Sequence, residues 1–416
     1  MKRICSVVVL FALMQSVVVV AQVAYQQQVT QRSPIEIMFS NCGTLAFDAQ
    51  SARGHSFWPR GSNQQFIFGA GLWIGGLVPV GPEEVLRKAV FVTWDPNSGK
   101  SWATPLSELT TVHVEDFEVI SSRFTDTVLS AYANSAPPPD GRLPLGLEFK
   151  QDLLVRESGP YQDVAVLSTV ITNIHPTRTI ENVVVDLVVD ADIGPRDNLL
   201  LASQEDYSRH VPLDWGLDLL IASTSPHNGI PYGHMGVVLV NTPDGRSAAT
   251  MRNQPIWLDP LASEDRYNLI TSGVKEDGSD TGDIRLHIAS HLYTLAPGEK
   301  LTFRYLIMFS NDEIDVAQAW MASVAEYHFA NVSVDESDLA IPMSLYPNPA
   351  YRDGTVRVET GSIKDRVDII DEVGRTIRTF TGDVDTLQLT GLPSGIYHVR
   401  VCHREGWSSL PLVIVQ

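Results

Sequence analysis

The sequence predicts an all-β protein: an antiparallel β-sandwich-type body with one closing helix, followed by a small C-terminal sandwich. Three observations predict it. Runs rich in β-branched residues recur along the chain, Gly/Pro turn clusters separate them, and one segment carries a convincing helical period. Many short strands with such turns argue for an antiparallel sandwich over alternating β and α units.

The chain opens with Met1-Lys2-Arg3 and an apolar stretch, Ile4 to Ala21, broken mainly by Ser6, Gln15 and Ser16. Val19-Val20-Ala21 then offers small residues to a signal peptidase, so residues 1–21 read as a signal peptide and Gln22 as the new N-terminus. No later segment reaches about 18 consecutive apolar residues, the length a spanning helix needs. Cys42 and Cys402 remain after cleavage, in separate domains, which is neither a disulfide framework nor zinc-site spacing.

In the body, residues 22–333, Val164 to Ile174 (VAVLSTVITNI) and Val183 to Ile193 (VVVDLVVDADI) read as a hairpin with a longer loop at His175-Pro176-Thr177. In the second run Val183, Val185, Leu187 and Val189 share one face, and Asp186, Asp190 and Asp192 the other. Val237 to Val240, Asp283 to Ile288 and Lys300 to Phe309 are further strands. Turns are expected at Ser135 to Gly141, Asn241 to Gly245 and Ala296-Pro297-Gly298. Ala317, Trp320, Met321, Val324 and Tyr327 or His328 recur at helical spacing after Asp312 and Asp315, which gives the closing helix. The acidic stretch after it, Asn331 to Leu339, reads as the linker, set at residues 334–339.

From residue 340 to 416 the pattern resets. Val367 to Ile370, Ile377 to Phe380, Leu387 to Leu389, Ile396 to Val401 and Leu410 to Val415 are five strand candidates, with tight turns at Asp371 to Arg375 and Gly391 to Gly395. Along the fourth, Tyr397, Val399 and Val401 face one way and His398 and Arg400 the other, the pattern of a half-buried strand.

Three groups of residues in this domain carry a resemblance. They are Leu345-Tyr346-Pro347-Asn348-Pro349-Ala350, Ile370-Asp371 running into Val373-Gly374-Arg375, and Leu392-Pro393-Ser394-Gly395-Ile396-Tyr397-His398-Val399-Arg400-Val401. Their order and C-terminal position resemble the type A sorting domain of the type IX secretion system, with Tyr346, Pro347, Asn348, Pro349, Gly374, Arg375, Gly395 and Tyr397 as its motif residues. The resemblance implies an immunoglobulin-like sandwich read by the outer-membrane translocon. It also implies removal by a sortase-like peptidase near the linker, with the body lipid-anchored or released. The usual basic residue near the end is absent; the chain closes on Ile414-Val415-Gln416. The body resembles an uncharacterised group of large secreted proteins bearing the same domain, through Phe39 to Gly43, Trp58 to Gly61, Ala70 to Gly76, Pro144 to Glu148 with Gln151, Val188 to Gly194 and Leu295 to Glu299. That group brings no mechanism with it.

Composition bounds the chemistry. The chain has 416 residues, room for two or three domains, and 49 acidic side chains against 30 basic, a formal charge of −19. Such a charge repels phosphate backbones and anionic lipid, which argues against a nucleic-acid partner, and it suits hard cations. Asp190, Asp192 and Asp197, around the Gly194-Pro195 turn, are the expected metal ligands. Asp190 and Asp192 project from one strand face about 7 Å apart, and calcium takes six to eight oxygen ligands. The alternative is a solvated strand end whose aspartates cap turn amides. The same carboxylates would serve a glycosidase only with a cleft and one raised pKa.

Other motifs are weaker. Gly69-Ala70-Gly71-Leu72-Trp73-Ile74-Gly75-Gly76 lacks the third glycine of a nucleotide loop and reads as a strand in which glycines let Trp73 pack closely. His287 and His291 would lie about 13 Å apart on a strand, too far for one metal, and read as surface or structural residues. There is no H-E-x-x-H and no G-x-S-x-G, and Cys42 reads as a buried thiol. Trp58, Trp73, Trp94 and Trp102 are close enough in sequence to form a glycan-stacking platform, or else they are core. The body is therefore expected to be a non-enzymatic structural or binding module. A carbohydrate-binding adhesive protein and a secreted hydrolase are the alternatives.

Overall fold

A computed structural model describes residues 23–80, 85–114, 116–126, 144–159, 161–196, 206–213, 216–224, 233–255, 262–278, 281–331, 343–360, 364–371, 376–403 and 406–415. The fold is all-β, as the sequence predicts, and the body is built on two nine-stranded sheets. The first runs, edge to edge, through Gln27–Val29, Glu36–Ser40, Ser56–Phe57, Gln64–Val80, Ile180–Pro195, Ile284–Ala289 and Thr250–Pro255. Val85–Val92 also pairs with Gln64–Val80, and Tyr293–Leu295 with Ile180–Pro195. The second runs through Asp206–Pro212, Asp218–Thr224, Gly233–Asn241, Lys300–Ser310, Val164–Asn173, Leu147–Arg156, Phe117–Thr125 and Thr104–Pro105, with Thr110–Val114 on Phe117–Thr125. The ladders within both sheets are antiparallel.

Both sheets feed one apolar core, Leu72, Ile74, Val185, Leu187 and Val189 from the first against Phe149, Leu167, Ile171, Phe303 and Ile307 from the second. Each such side chain, fully buried, is worth about 1.5–3 kcal/mol of transfer free energy. The Tyr305 hydroxyl donates to the Val185 carbonyl at 3.1 Å, which ties one sheet to the other.

The expected hairpin does not form. Val164–Asn173 pairs with Leu147–Arg156 and Lys300–Ser310, whereas Ile180–Pro195 pairs with Gln64–Val80 and Ile284–Ala289. The loop at His175-Pro176-Thr177 is a crossover between sheets. Asn173 fixes its mouth, its side-chain amide donating to the carbonyls of Arg178 and Leu295 at 2.8 and 2.9 Å. The physical reason lies in burial. Val164–Asn173 alternates between buried and half-buried positions, but Ile180–Pro195 is buried on both faces along most of its length. A strand covered on both sides belongs in the middle of a sheet with layers above and below.

The closing helix is Ile314–Asn331, and Ala317, Met321, Val324 and Ala325 bury its inner face against Val164, Leu219, Ile221, Val238, Leu306 and Met308 of the second sheet. Gly236 makes the approach possible, because a Cβ there would stand 2.6 Å from the Met321 sulfur. A second helix, Ser263–Ile270, has no apolar period to announce it and buries Arg266 along with Tyr267. No helix among the described residues is long and apolar enough to cross a membrane.

The C-terminal domain is a three-stranded sheet (Met343–Tyr346, Thr355–Thr360, Thr386–Gln388) and a five-stranded one (Ala350–Tyr351, Gly406–Val415, Gly395–His403, Lys364–Asp371, Thr376–Thr381). Val356, Val358, Val367, Ile369, Leu387, Val399, Val401 and Leu412 form their shared core. Tyr397, Val399 and Val401 do face inward, but Arg400 is buried too, where a half-solvated strand was expected. Its guanidinium is 2.9 Å from the Asp368 carboxylate.

Candidate functional site

The strand Ile180–Pro195 turns one face to the inter-sheet core. Its other face carries Asp186, Val188, Asp190 and Asp192 under a second layer of buried groups. The register with Ile284–Ala289 sets Arg285 opposite Asp190 and His287 opposite Val188, so Asp283, Arg285 and His287 alternate onto the same face. One oxygen each from Asp190, Asp192 and Asp283 lies within 4.8 Å of the others. Asp206, at the start of Asp206–Pro212, adds a fourth carboxylate, and its Oδ2 accepts the Ile193 N–H at 3.0 Å.

Burial is the first influence on these groups. Asp190 is 3% exposed and Asp206 0%, and the Oδ1 of each is buried without a hydrogen-bond partner. Burial pushes Asp190 up to about 7, against the pull of Arg285, whose Nε lies 3.4 Å from Asp190 Oδ2. Asp192 is pushed up to about 8, by burial and then by repulsion from Asp190 and Asp283. Asp206 stands well above the carboxylate range, chiefly by burial, with Asp192, Asp190 and Asp283 adding to it. Burial also raises Asp283 and lowers Arg285. Arg285 thus faces Asp190 and Asp192 while Asp283 and Asp206 add negative charge beside them, a balance that invites either protons or a cation.

Two further buried groups occupy the same layer. His287 Nδ1 is 2.8 Å from Asp186 Oδ2, with neither side chain exposed, and the Trp73 and His287 rings meet in a T-shaped contact with centres 5.2 Å apart. Burial raises Asp186, and His287 opposes it. Arg266 pairs with Asp95 at 3.0 Å, its guanidinium 4.8 Å from the Trp73 ring centre and 4.9 Å from that of Trp102. Both are cation–π distances.

The structure brings Asp190 and Asp192 together, while Asp197 lies outside the described residues. The aspartates are not a solvated strand end, because a second layer covers the face that alternation alone exposes. Asp283 completes the cluster, and Asp206 lies close enough for the cluster's three carboxylates to repel its charge. Asp283 carried a signal, its spacing of two from Arg285 on a predicted strand; Asp206 reaches the site only through topology. His287 and His291 have separate fates, the first buried on Asp186 and the second half-buried beyond the strand end.

The four tryptophans form no platform. Trp73, Trp94 and Trp102 are core, and Trp58 is half-buried with its Nε1 donating to Asp163 at 2.8 Å. The glycine run is indeed a strand, but it is Trp94 that Gly69 and Gly71 admit. A Cβ at Gly69 would meet the Trp94 ring at 2.3 Å, and one at Gly71 the Trp94 Cβ at 2.6 Å. Cys42 is buried, and burial pushes its thiol up to about 12.

In the C-terminal domain, Tyr346 is 78% exposed, followed by exposed Pro347, Asn348 and Pro349. The Tyr346–Pro347 and Asn348–Pro349 bonds are cis. Asn348 Oδ1 accepts the Val413 N–H at 2.9 Å, so this segment is tied to the last strand. Gly395 opens the strand Gly395–His403, and the buried Tyr397 donates its hydroxyl to the Pro393 carbonyl at 2.9 Å. Gly374 and Arg375 lie outside the described residues.

No curated protein sequence matches the chain. Among solved structures, a polysaccharide lyase is similar over 95% of this chain and 47% of its own length, at 10% identity and a TM-score of 0.29. The chain thus spans about half of that enzyme. A protein described as an aldose 1-epimerase from Escherichia coli K12 is similar over 70% of this chain and 100% of its own, at 9% identity and a TM-score of 0.35. A galactose mutarotase related enzyme from Lactobacillus acidophilus is similar over 69% of this chain and 99% of its own, at 8% identity and a TM-score of 0.31. Likenesses this slight say nothing of activity. Residues 344–415 match the family described as a secretion system C-terminal sorting domain, over the strands and motifs set out above. The chain therefore ends in a type IX secretion sorting domain, and the protein is exported to the cell surface or the extracellular space.

Proposed function

We propose that the body, residues 22–333, is a non-enzymatic structural or binding module. In this reading a signal peptide of residues 1–21 takes it across the inner membrane, and the domain at 340–416 carries it through the type IX translocon, with a sortase-like peptidase acting at the 334–339 linker. The observation that supports the module reading is where the chemistry-bearing side chains lie. Trp73, Trp94 and Trp102 are core. Asp186, Asp190, Asp206, Arg266 and His287 are buried in the packing. A glycan-binding face needs exposed aromatic rings, and a hydrolase needs polar groups converging on a space a substrate can enter.

Two measurements test the reading. Truncation after Leu339 in a host with the secretion system should leave the body in the periplasm; surface delivery of the truncated chain would refute the sorting role. The purified protein should turn over no glycoside or ester, and a turnover abolished by Asp190→Asn would make the body an enzyme.

A further inference from the structure

The geometry points to a divalent-cation site, best suited to calcium, formed by Asp190, Asp192 and Asp283 with Asp206 beside them. Three of these carboxylates already bring an oxygen each within 4.8 Å of one another, the spacing of ligands around one ion. The independent observation is Asp206. It comes from a strand of the other sheet, is fully buried, and has one oxygen fixed by the Ile193 amide while Oδ1 accepts nothing. The Asp190 Oδ1 is left in the same condition. Buried acceptors without donors are costly to retain, and an ion that needs only acceptors satisfies them together.

The donor set is all oxygen, which excludes soft metals and favours calcium, magnesium or manganese. Magnesium demands near-ideal octahedral geometry and keeps several of its waters. Calcium accepts irregular shells of six to eight oxygens at 2.3–2.6 Å. Two carboxylates from one strand and a third from the residue that precedes the neighbouring strand make an irregular shell. Arg285 takes part from one side through Asp190 Oδ2 at 3.4 Å and does not replace the ion, since a guanidinium carries one positive charge against three carboxylates. The site goes beyond the module reading and draws on export only for its calcium supply, where extracellular modules work with dissociation constants of about 10⁻⁴–10⁻³ M.

The test is thermal unfolding and calorimetric titration of the purified full chain, with calcium chloride, magnesium chloride or EDTA. At calcium a hundred times its dissociation constant, the folded-to-unfolded ratio should rise about 100-fold, which is about 2.7 kcal/mol, and EDTA should reverse it. Asp192→Asn and Asp206→Asn should each weaken binding at least about tenfold and still fold. Terbium emission sensitised by the nearby tryptophans would report occupancy in both variants. No heat and no shift at 10 mM calcium would overturn the site, and equal shifts with magnesium would overturn the calcium assignment. Calcium binding that survives Asp192→Asn unchanged would overturn the three-carboxylate site. Each result is independent of the truncation experiment, which reads location and not binding.

Discussion

Two buried carboxylate centres in this chain solve the same problem differently. In the C-terminal domain, Asp368 is fully buried and every acceptor is used: Arg366 and Arg400 reach Oδ2 at 2.8 and 2.9 Å, and the Thr379 hydroxyl donates to Oδ1 at 2.7 Å. In the body, Arg285 faces Asp190 and Asp192, Asp283 and Asp206 stand beside them, and two of these aspartate oxygens accept nothing. The first centre is saturated with positive charge from its own chain. The second has acceptor capacity to spare, and that difference separates a structural ion pair from a site open to a ligand.

The comparison breaks most visibly if Asp368 is removed. Asp368→Ala would remove the carboxylate on which Arg366 and Arg400 converge. Loss of one partner from a buried pair costs about 3–5 kcal/mol, and partial exposure of Arg366 places this case near 3. Amide hydrogen exchange at Val399, whose strand pairs with Ile369, should accelerate accordingly. Unchanged protection there would mean that the pair is dispensable.

Neutralising a carboxylate in the body should have the opposite sign. The folded protein holds Asp192 at about 8, above its unfolded value of 3.8, because burial and then Asp190 disfavour its charge. A group raised in this way helps the fold below about pH 4 and loses that help as pH climbs through 8. In EDTA at neutral pH, Asp192→Asn should therefore stabilise the body by about 1 kcal/mol, a conservative fraction of the shift. With calcium present the same substitution should destabilise it. A destabilised variant in chelator would show that the carboxylate is already satisfied within the protein.

The sequence makes some of this legible. The apolar runs at 164–174, 183–193 and 300–309 are strands because β-branched residues and turn clusters delimit them, and the sorting motifs fall on the expected domain. Asp190 and Asp192 could be paired because two residues on a strand share a face. What alternation does not reveal is what covers that face, so a solvated strand end stays open as the alternative to a metal site, and the neighbouring run reads as a hairpin partner. Asp206 reaches the cluster from the other sheet, and no local spacing encodes that approach. Helix Ser263–Ile270 escaped because it buries an arginine between two indoles, the reverse of the apolar stripe by which helices are recognised.

His328, near the end of the helix Ile314–Asn331, shows a third way to house an ionisable group: it stays neutral. Its Nε2 is buried without a partner, Tyr161 and Tyr327 pack against the ring, and burial followed by the charges of Arg156 and Arg304 lowers it to about 4. The unfolded histidine takes its proton near 6.5, so between 6.5 and 4 the unfolded state binds more protons than the folded one, and stability falls as pH falls. His328→Phe should flatten that acid limb by about 1 kcal/mol, discounted for the partial exposure of the residue. The readout is the unfolding midpoint at pH 7 and pH 5, compared between the two proteins. Parallel slopes would show that His328 protonates in place, and that the arginines beside it do not hold it neutral.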